Sequence, residues 1–197
     1  MNAQAQDPQV PPPKAAPPRL DSLAEIESAV WRELAAAVHD RGHAWRVGVL
    51  ATTDGEVGDA RSVVLRDLDA GTRTLLIYTD PRSPKAAQIA DHPLGTLVLW
   101  SDPLGWQLRL RVELQLQTEG LLVSSRWAWL KMTPAAHDYL SPLPPGSTVD
   151  HPLPQRGSRE HFAVLAAQVR DIDWLELHAD GHRRAHFGDG GRRWRAP

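Results

Sequence analysis

The chain has 197 residues, with 22 lysines and arginines against 24 aspartates and glutamates, and it contains no cysteine. This length suits one domain with a sizeable core. The lack of cysteine excludes disulfides, cysteine-bound metals and thiol nucleophiles. The net charge of −2 gives no general attraction to nucleic acid or to anionic membranes. No apolar run reaches the roughly 18 residues of a membrane span. We therefore expect a soluble protein, and a cytoplasmic one because its N-terminus has no signal-peptide core.

The first 20 residues contain six of the 17 prolines and no periodic pattern, which predicts a disordered tail. A single domain is then expected over residues 21–197. It opens with an S-x-x-E capping box, Ser22 and Glu25, followed by apolar residues at helical spacing as far as His39. This pattern predicts one amphipathic helix that ends near Gly42.

After the helix the apolar period changes from 3.6 to 2, which is typical of β-strands. The predicted strands are 45–51, 61–66, 74–79, 95–100 and 107–117. The fourth is apolar at its centre, so we expect it to be buried on both faces. The fifth alternates polar and apolar residues throughout, so one face must line a core while the other meets solvent, a ligand or a partner subunit.

A short helix is predicted between the third and fourth strands, with Ser83 as its N-cap and Pro84 at its first position. Residues 124–139 are expected to be helical, with a break at Thr133 and Pro134. A Pro- and Gly-rich loop follows over 140–159, residues 162–169 are ambiguous, and 174–178 and 182–187 read as strands. Many hairpin-joined strands with few helices favour a mainly β fold, a β-barrel or sandwich with flanking helices.

Four polar side chains form the strongest candidate for a binding site. Arg61 and Arg66 bracket the second strand, while Ser83 and Lys85 lie at the start of the short helix. Guanidinium, ammonium and hydroxyl groups at a helix N-terminus can bind a phosphate. The same residues can equally be solvated charges at the ends of strands, and the residues alone leave both interpretations open.

Three runs, in order, resemble the pyridoxamine 5′-phosphate oxidase family. They are RSVVLR at 61–66, IYTD at 77–80 and SPKAAQIADHP at 83–93, and Gln107 follows them at the expected spacing. The resemblance implies an FMN-binding split barrel that is a homodimer with FMN at the subunit interface. It also implies oxidation of pyridoxamine or pyridoxine 5′-phosphate, with hydride transfer to flavin N5 and oxygen as the re-oxidant.

The resemblance assigns cofactor contacts to Arg61, Ser62, Val63, Arg66, Tyr78, Thr79, Ser83, Lys85 and Gln107. It implies that Arg66, Ser83 and Lys85 hold the FMN phosphate. Arg61 and Gln107 would contact the flavin ring or the ribityl chain, with Gln107 coming from the partner subunit. Pro84 stands where the family motif has an arginine, so one phosphate-binding guanidinium is missing.

The C-terminal segment departs further from the family pattern. His182, Arg184 and His186 are the residues that the resemblance places on the substrate side. The family's tyrosine, arginine and serine that hold the substrate phosphate have no clear counterpart between Arg126 and Ser147. The alternatives are therefore an FMN-dependent reductase, a flavin- or haem-binding protein acting on a substrate other than a B6 vitamer, or a non-catalytic binding module.

Two further patterns are weighed against this interpretation. His178, His182 and His186 would form a metal-binding face on a helix, but the Asp180-Gly181 turn separates them, so no metal is expected. The arginines of residues 183–195 could bind nucleic acid, yet they are few and the chain is slightly acidic. The expected partners are a small-molecule substrate and a second copy of the chain, without nucleic acid or membrane.

Overall fold

The computed structural model describes residues 19–151, 157 and 160–197. The predicted tail lies outside the described residues except for Arg19 and Leu20. The first element is α1, Leu23–His39, and it begins at Ser22 with both hydrogen bonds of the capping box. Its buried face, which includes Ile26, Val30 and Leu34, packs into the core. The predicted amphipathic helix is confirmed.

Within the described residues, eight strands form one antiparallel sheet. They are β1 Val47–Thr53, β2 Gly58–Asp69, β3 Thr74–Thr79, β4 Leu94–Ser101, β5 Trp106–Gln117, β6 Ala163–Glu176, β7 Arg183–Gly188 and β8 Gly191–Arg195. The order is β3-β2-β1-β4-β5-β6-β7-β8, and β3 also pairs with β6. That last pairing closes β1–β6 into a six-stranded barrel, from which β7 and β8 continue as an extension. The predicted barrel is confirmed.

The interior of the barrel is filled by one face of each strand. Leu50, Leu97 and Leu110 are fully buried there, and they lie side by side in the β1–β4–β5 register. A Cβ added at Gly48 would lie 2.4 Å from Leu99 Cδ2 and 3.1 Å from the backbone carbonyl of Val98, so a larger residue would displace the buried Leu99 side chain. Burial alternates along β5. The polar–apolar alternation that predicted this strand therefore corresponds to the outside and the inside of the barrel.

Besides α1, the described part of the chain has two more helices and two 3₁₀ segments outside the barrel: α2 Pro84–Asp91, α3 Leu121–Leu130, and the 3₁₀ helices Ala44–Arg46 and Pro134–Tyr139. A second, smaller cluster lies under α3, where Trp127 stacks on Phe162 with ring centroids 5.1 Å apart and Tyr139 packs edge-on to the same ring at 5.2 Å. This cluster covers the outer face of β6 near its start.

Two strand predictions were wrong in part, and one strand was missed. Residues 162–178 contain one 14-residue strand, β6, whereas the sequence predicted a strand only over 174–178. The first half of β6 is buried on one face by the barrel and on the other by α3, so its residues show no polar–apolar period. β4 is not buried on both faces, since the side chain of Trp100 remains 43% exposed on the outer face. β8 was not predicted, because all of its residues are exposed and no alternation marks them.

Within the described residues, no helix combines the length and apolar character that a membrane span requires. In the same part of the chain, no three His, Asp or Glu side chains are placed to hold a metal ion. His178 and His182 lie on either side of the turn before β7, where the backbone N–H of His178 donates to Nδ1 of His182 over 3.2 Å.

Candidate functional site

The N-terminus of α2 brings polar groups suited to an anion close together. Ser83 is the N-cap residue and is 4% exposed, yet its hydroxyl makes no side-chain cap. That hydroxyl instead accepts a hydrogen bond of 3.2 Å from Lys85 Nζ. The first turn of a helix carries free backbone N–H groups and the positive end of the helix dipole. A buried hydroxyl, an ammonium group and a helix N-terminus therefore lie together at one point.

Lys85 is half-buried and has no carboxylate at ion-pair distance among the described residues. Burial lowers the pKa of Lys85, and the positive charge of Arg61 lowers it further. Two cations are thus held close to each other, and the carboxylates of Asp80 and Asp59 compensate them only in part, since the pKa of Lys85 stays lowered. Such an arrangement is costly in the free protein and is relieved when an anion binds.

Arg61 is fixed by its neighbours. Its Nη1 donates to the carbonyl of Leu50 over 3.2 Å and to the hydroxyl of Thr52 over 2.5 Å. Its Nη2 donates to Gln88 Oε1 over 3.0 Å and also pairs with the carboxylate of Asp59. Gln88 lies on α2, so this network connects β1 and β2 to the helix that carries Lys85. We call Arg61, Ser83, Lys85 and the first turn of α2 the phosphate site.

The phosphate site fits the phosphate group of a flavin mononucleotide. A phosphate monoester is close to doubly negative at neutral pH, and the site offers two cations, a hydroxyl and a helix N-terminus. Pro84 stands where the family motif has an arginine, so the site lacks that guanidinium, and proline at the first helical position has no backbone N–H to add.

The structure groups Arg61 with Ser83 and Lys85 and places Arg66 elsewhere. Arg61 and Arg66 are five residues apart on β2, and Arg66 lies at the register shift between Leu65 and Asp67 in the pairing with β3. The guanidinium of Arg66 lies over the ring of Tyr78, 5.6 Å from its centroid. The sequence-based division, with Arg66 at the phosphate and Arg61 at the flavin, therefore does not match this grouping. Arg61 and Arg66 are an odd number of residues apart on β2, so their side chains start from opposite faces of the strand.

Arg66 lines a second cavity of about 420 Å³, which we call the arginine pocket. Its cationic groups are Arg41, Arg46, Arg66 and Arg126. The only acidic residue among its described lining is Asp67, which pairs with Arg126. Burial lowers the pKa of Arg46, and the charges of Arg66 and Arg41 lower it further. Since the positive charges exceed the negative ones, the pocket favours an anionic ligand.

Arg126 is a candidate functional residue that the sequence did not indicate. It lies on α3 and reaches the arginine pocket, where it pairs with Asp67 on β2. Its Nε is buried and has no hydrogen-bond partner among the described residues. The only signal in the sequence was a lone arginine in a helix otherwise rich in tryptophan and leucine, which does not mark a binding residue.

The remaining cofactor candidates of β2 and β3 differ in where their side chains lie. Tyr78 lines the arginine pocket, and burial raises the pKa of its hydroxyl. Thr79 is buried, and its hydroxyl donates to the carbonyl of Asp80 over 3.4 Å. Ser62 is exposed on the outer face of β2, whereas the side chain of Val63 is buried in the core. Val63 could therefore meet a ligand only through its backbone.

Gln107 and two of the predicted substrate residues lie on one face of the sheet. Gln107 is in register with Leu175 on β6, and Leu175 with Arg184 on β7, so the three side chains form one row across the strands. Trp100 on β4 continues the row on the other side of Gln107. His186 is two residues beyond Arg184 and faces the same way. His182 precedes β7 and lies in the exposed turn.

The fold and these sites define the class of the protein: an FMN-binding split barrel. Residues 28–118 match the family model of the pyridoxamine 5′-phosphate oxidase FMN-binding domain. Over this segment the chain is similar, as a divergent relative, to the pyridoxamine 5′-phosphate oxidase-like family, and the domain that it matches is the one that binds FMN. A search of curated protein sequences gives no significant match.

Solved structures with the same fold include two that align over most of both chains. A pyridoxamine 5′-phosphate oxidase-related FMN-binding protein of Nostoc punctiforme has a TM-score of 0.68 and 24% identity, over 86% of this chain and 96% of that one. PhzG of Burkholderia lata, in complex with tetrahydrophenazine-1-carboxylic acid, has a TM-score of 0.67 and 16% identity, over 87% and 92%.

A haem-binding protein of Mycobacterium smegmatis also has this fold, with a TM-score of 0.50 and 19% identity over 86% of this chain and 59% of that one. At such low identities, these likenesses establish the fold and leave the substrate open.

Proposed function

We propose that this protein is an FMN-dependent oxidoreductase that oxidises a small substrate bearing a phosphate or carboxylate group. The observation that carries the proposal is the arginine pocket, with four guanidinium groups and one carboxylate. Pyridoxamine 5′-phosphate, the substrate implied by the sequence resemblance, carries such a group. So does the tetrahydrophenazine carboxylic acid in the complex with PhzG.

When bound, FMN supplies a two-electron acceptor, which takes a hydride from an amine- or alcohol-bearing carbon and returns the electrons to oxygen as hydrogen peroxide. The protein's own part is to bind and to orient. Arg61, Ser83 and Lys85 hold the cofactor phosphate, with Thr79 beside the cofactor.

The arginine pocket holds the anionic end of the substrate. Arg66 and Arg126 provide its charges, and Tyr78 offers a phenol hydroxyl whose pKa burial raises further above neutral pH. Tyr78 lines the arginine pocket and Thr79 is the next residue in the chain, so the proposed substrate site and the proposed cofactor site adjoin at this point of β3. Holding the two molecules in contact is the main contribution that the protein makes to hydride transfer.

A second copy of the chain is part of the proposal. Val47, Val49 and Trp100 leave 51%, 43% and 43% of their surface exposed on the outer faces of β1 and β4. In register, Val49 adjoins Val98 and Trp100 adjoins Gln107, so this apolar area is continuous with the row that contains Gln107. Packing a second copy here would bury the apolar area and bring Gln107 and Arg184 to the partner's cofactor.

The first experiment tests the oxidase activity. Purified protein is loaded with FMN, and hydrogen peroxide release is measured with pyridoxamine 5′-phosphate and with pyridoxamine, which lacks the phosphate. We expect release with the phosphorylated substrate and a much higher KM without the phosphate. The variant Arg126→Gln should raise KM for the phosphorylated substrate about tenfold or more, the usual effect of losing one charged contact.

Other outcomes separate the alternatives. Reduction of the flavin by an added reductant, with electrons passed to a substrate other than oxygen, would assign an FMN-dependent reductase. FMN binding without turnover of phosphate- or carboxylate-bearing amines and alcohols would assign a binding module. A protein that does not bind FMN at all would refute the phosphate site as well.

The proposed dimer is tested separately. We expect the mass in solution, measured by light scattering, to be twice that of the chain. The variant Val49→Lys should be monomeric and should bind FMN more weakly. A monomeric wild-type protein that binds FMN with the same affinity as the variant Val49→Lys would refute the role of the second copy and of Gln107.

A further inference from the structure

The arginine pocket carries more positive charge than one phosphate group can balance. Its lining holds Arg41, Arg46, Arg66 and Arg126 against the single carboxylate of Asp67. The anionic group of the proposed substrate lies on Arg66 and Arg126, and a phosphate monoester brings at most about two negative charges at neutral pH. With such a group bound, the described lining of the pocket still has an excess of positive charge.

Two of the four arginines surround Tyr78. The guanidinium of Arg66 lies over the tyrosine ring, 5.6 Å from its centroid. Burial raises the pKa of Tyr78, and the positive charge of Arg126 opposes this rise. Arg66, Arg126 and the Tyr78 hydroxyl therefore lie together, and we call this part of the pocket the tyrosine end. The only carboxylate of the described lining, Asp67, also lies here, because it pairs with Arg126.

The other two arginines belong to the segment that follows α1. Arg46 Nη1 donates to the carbonyl of Val38 over 2.6 Å and to that of Ala37 over 3.3 Å. Both carbonyls belong to the last turn of α1, where the helix leaves acceptors without a partner and has the negative end of its dipole. Arg46 is therefore held in place beside the end of the helix. His39, the last residue of α1, also lines the pocket.

Arg41 is exposed, and within the described parts of the chain its guanidinium forms no hydrogen bond or ion pair. The neighbouring carboxylate of Asp40 does not line the pocket, and it accepts a hydrogen bond of 2.8 Å from the backbone N–H of Gly42. Burial lowers the pKa of Arg46, and the charges of Arg66 and Arg41 lower it further. Arg46 is thus within electrostatic reach of the tyrosine end and of Arg41. An anion bound between Arg41 and Arg46 would remove their repulsion.

Apolar side chains complete the lining of the pocket. They are Val38, Trp129, Leu130 and Ala135. Trp129, on α3, leaves 57% of its surface exposed. Apolar walls with a few polar groups at fixed places are typical of sites for organic molecules, because the walls contact the carbon skeleton and the polar groups fix its orientation. The pocket therefore suits an organic molecule with anionic groups better than it suits an inorganic ion.

We propose that the substrate of the arginine pocket carries two anionic groups, each a phosphate or a carboxylate, joined by a carbon skeleton. The tyrosine end binds one group, and Arg41 with Arg46 binds the other. Arg41 determines the specificity for the second group, because its guanidinium has no partner among the described residues in the free protein. This inference rests on the proposed function, since it uses the same pocket, and it narrows the class of substrate.

The test is calorimetric titration of the FMN-loaded protein, in which the cofactor fills the phosphate site. Two phosphonocarboxylates are each compared with the alkylphosphonate of the same length: phosphonopropionate with propylphosphonate, and phosphonohexanoate with hexylphosphonate. In at least one pair, the phosphonocarboxylate should bind about tenfold or more tightly than its partner. Arg41→Ser should remove this difference and change the affinity for the alkylphosphonate less than about threefold. Arg41→Lys, which keeps the charge, should preserve most of the difference.

The control is Arg32→Ser, which removes a charge from an exposed position on α1 and should bind every probe like the wild type. Arg126→Gln should weaken the binding of all four probes. Equal affinities within both pairs, or a difference that persists in Arg41→Ser, would overturn the inference while the proposed function stands. A difference that Arg32→Ser also removes would overturn it in the same way. Unchanged affinities in Arg126→Gln would place the probes outside the arginine pocket and refute the proposed substrate site as well.

Discussion

Replacing Lys85 by methionine tests the phosphate site most directly. The substitution keeps the apolar part of the side chain and removes the ammonium group, which lies 3.2 Å from Ser83 Oγ. If this ammonium contacts the FMN phosphate, its loss removes one hydrogen bond to a charged group, about 2 kcal/mol. The Kd for FMN should then rise about 30-fold.

The same variant should be at least as stable as the wild type when no FMN is bound. Burial and the charge of Arg61 lower the pKa of Lys85 in the folded state, so the charged form is disfavoured by folding. That cost is present in full at pH values below the folded pKa. It fades as the pH rises towards the unfolded value of about 10.4. The stability gained by Lys85→Met should therefore be largest near neutral pH and shrink in alkali.

Flavin fluorescence titration measures the Kd, and thermal unfolding of the apoprotein at several pH values measures the stability. The control is Lys131→Met, since Lys131 is an exposed lysine that pairs with Glu160 and lies over Trp127. It should bind FMN normally. A change of less than about threefold in the Kd of Lys85→Met, or a loss of several degrees in its apoprotein Tm, would refute our assignment of Lys85.

Three further outcomes are expected. Asp59→Asn removes a carboxylate that competes for Arg61, so FMN should bind about two- to fivefold tighter by fluorescence titration, and weaker binding would contradict this. Leu110→Ala leaves a cavity in the barrel interior, where Leu110 is fully buried, and should cost about 2–5 kcal/mol in urea unfolding. Glu176 accepts hydrogen bonds from Arg183 and Arg19. Burial would raise its pKa, yet these bonds keep it low. Glu176→Gln should cost about 1.5–3 kcal/mol at pH 7. This difference should fade as the pH falls below about 4.3, and an unchanged difference at pH 3 would refute it.

Local signals predicted much of the fold. The capping box at Ser22 and the alternation over 107–117 each mark an element that has one buried face and one exposed face. α1 and β5 were therefore found close to their true bounds. The start of β6 carries no such signal, because the barrel covers one of its faces and α3 covers the other. β8 carries none either, because all of its residues are largely exposed and no buried face imposes a period on them.

The candidate site divides in the same way. Ser83 and Lys85 are close in sequence, and their position at the start of a helix was evident from Pro84. Their grouping with Arg61 needed the register of β1 and β2 and the position of Gln88 on α2. Arg126 and Arg41 come from segments far apart in the chain, and no local pattern relates them.

By itself, the sequence determined the alternation of the strands, the helix starts and the presence of cations suited to a phosphate, because each depends on residues within one or two turns of each other. Only the tertiary structure decided which cations meet. The closure of β3 on β6 and the docking of α3 bring Arg66 and Arg126 to one pocket. The segment after α1 adds Arg41 and Arg46 to the same pocket. Charges act through space, and the distances between them are set by the pairing of strands that are remote in sequence.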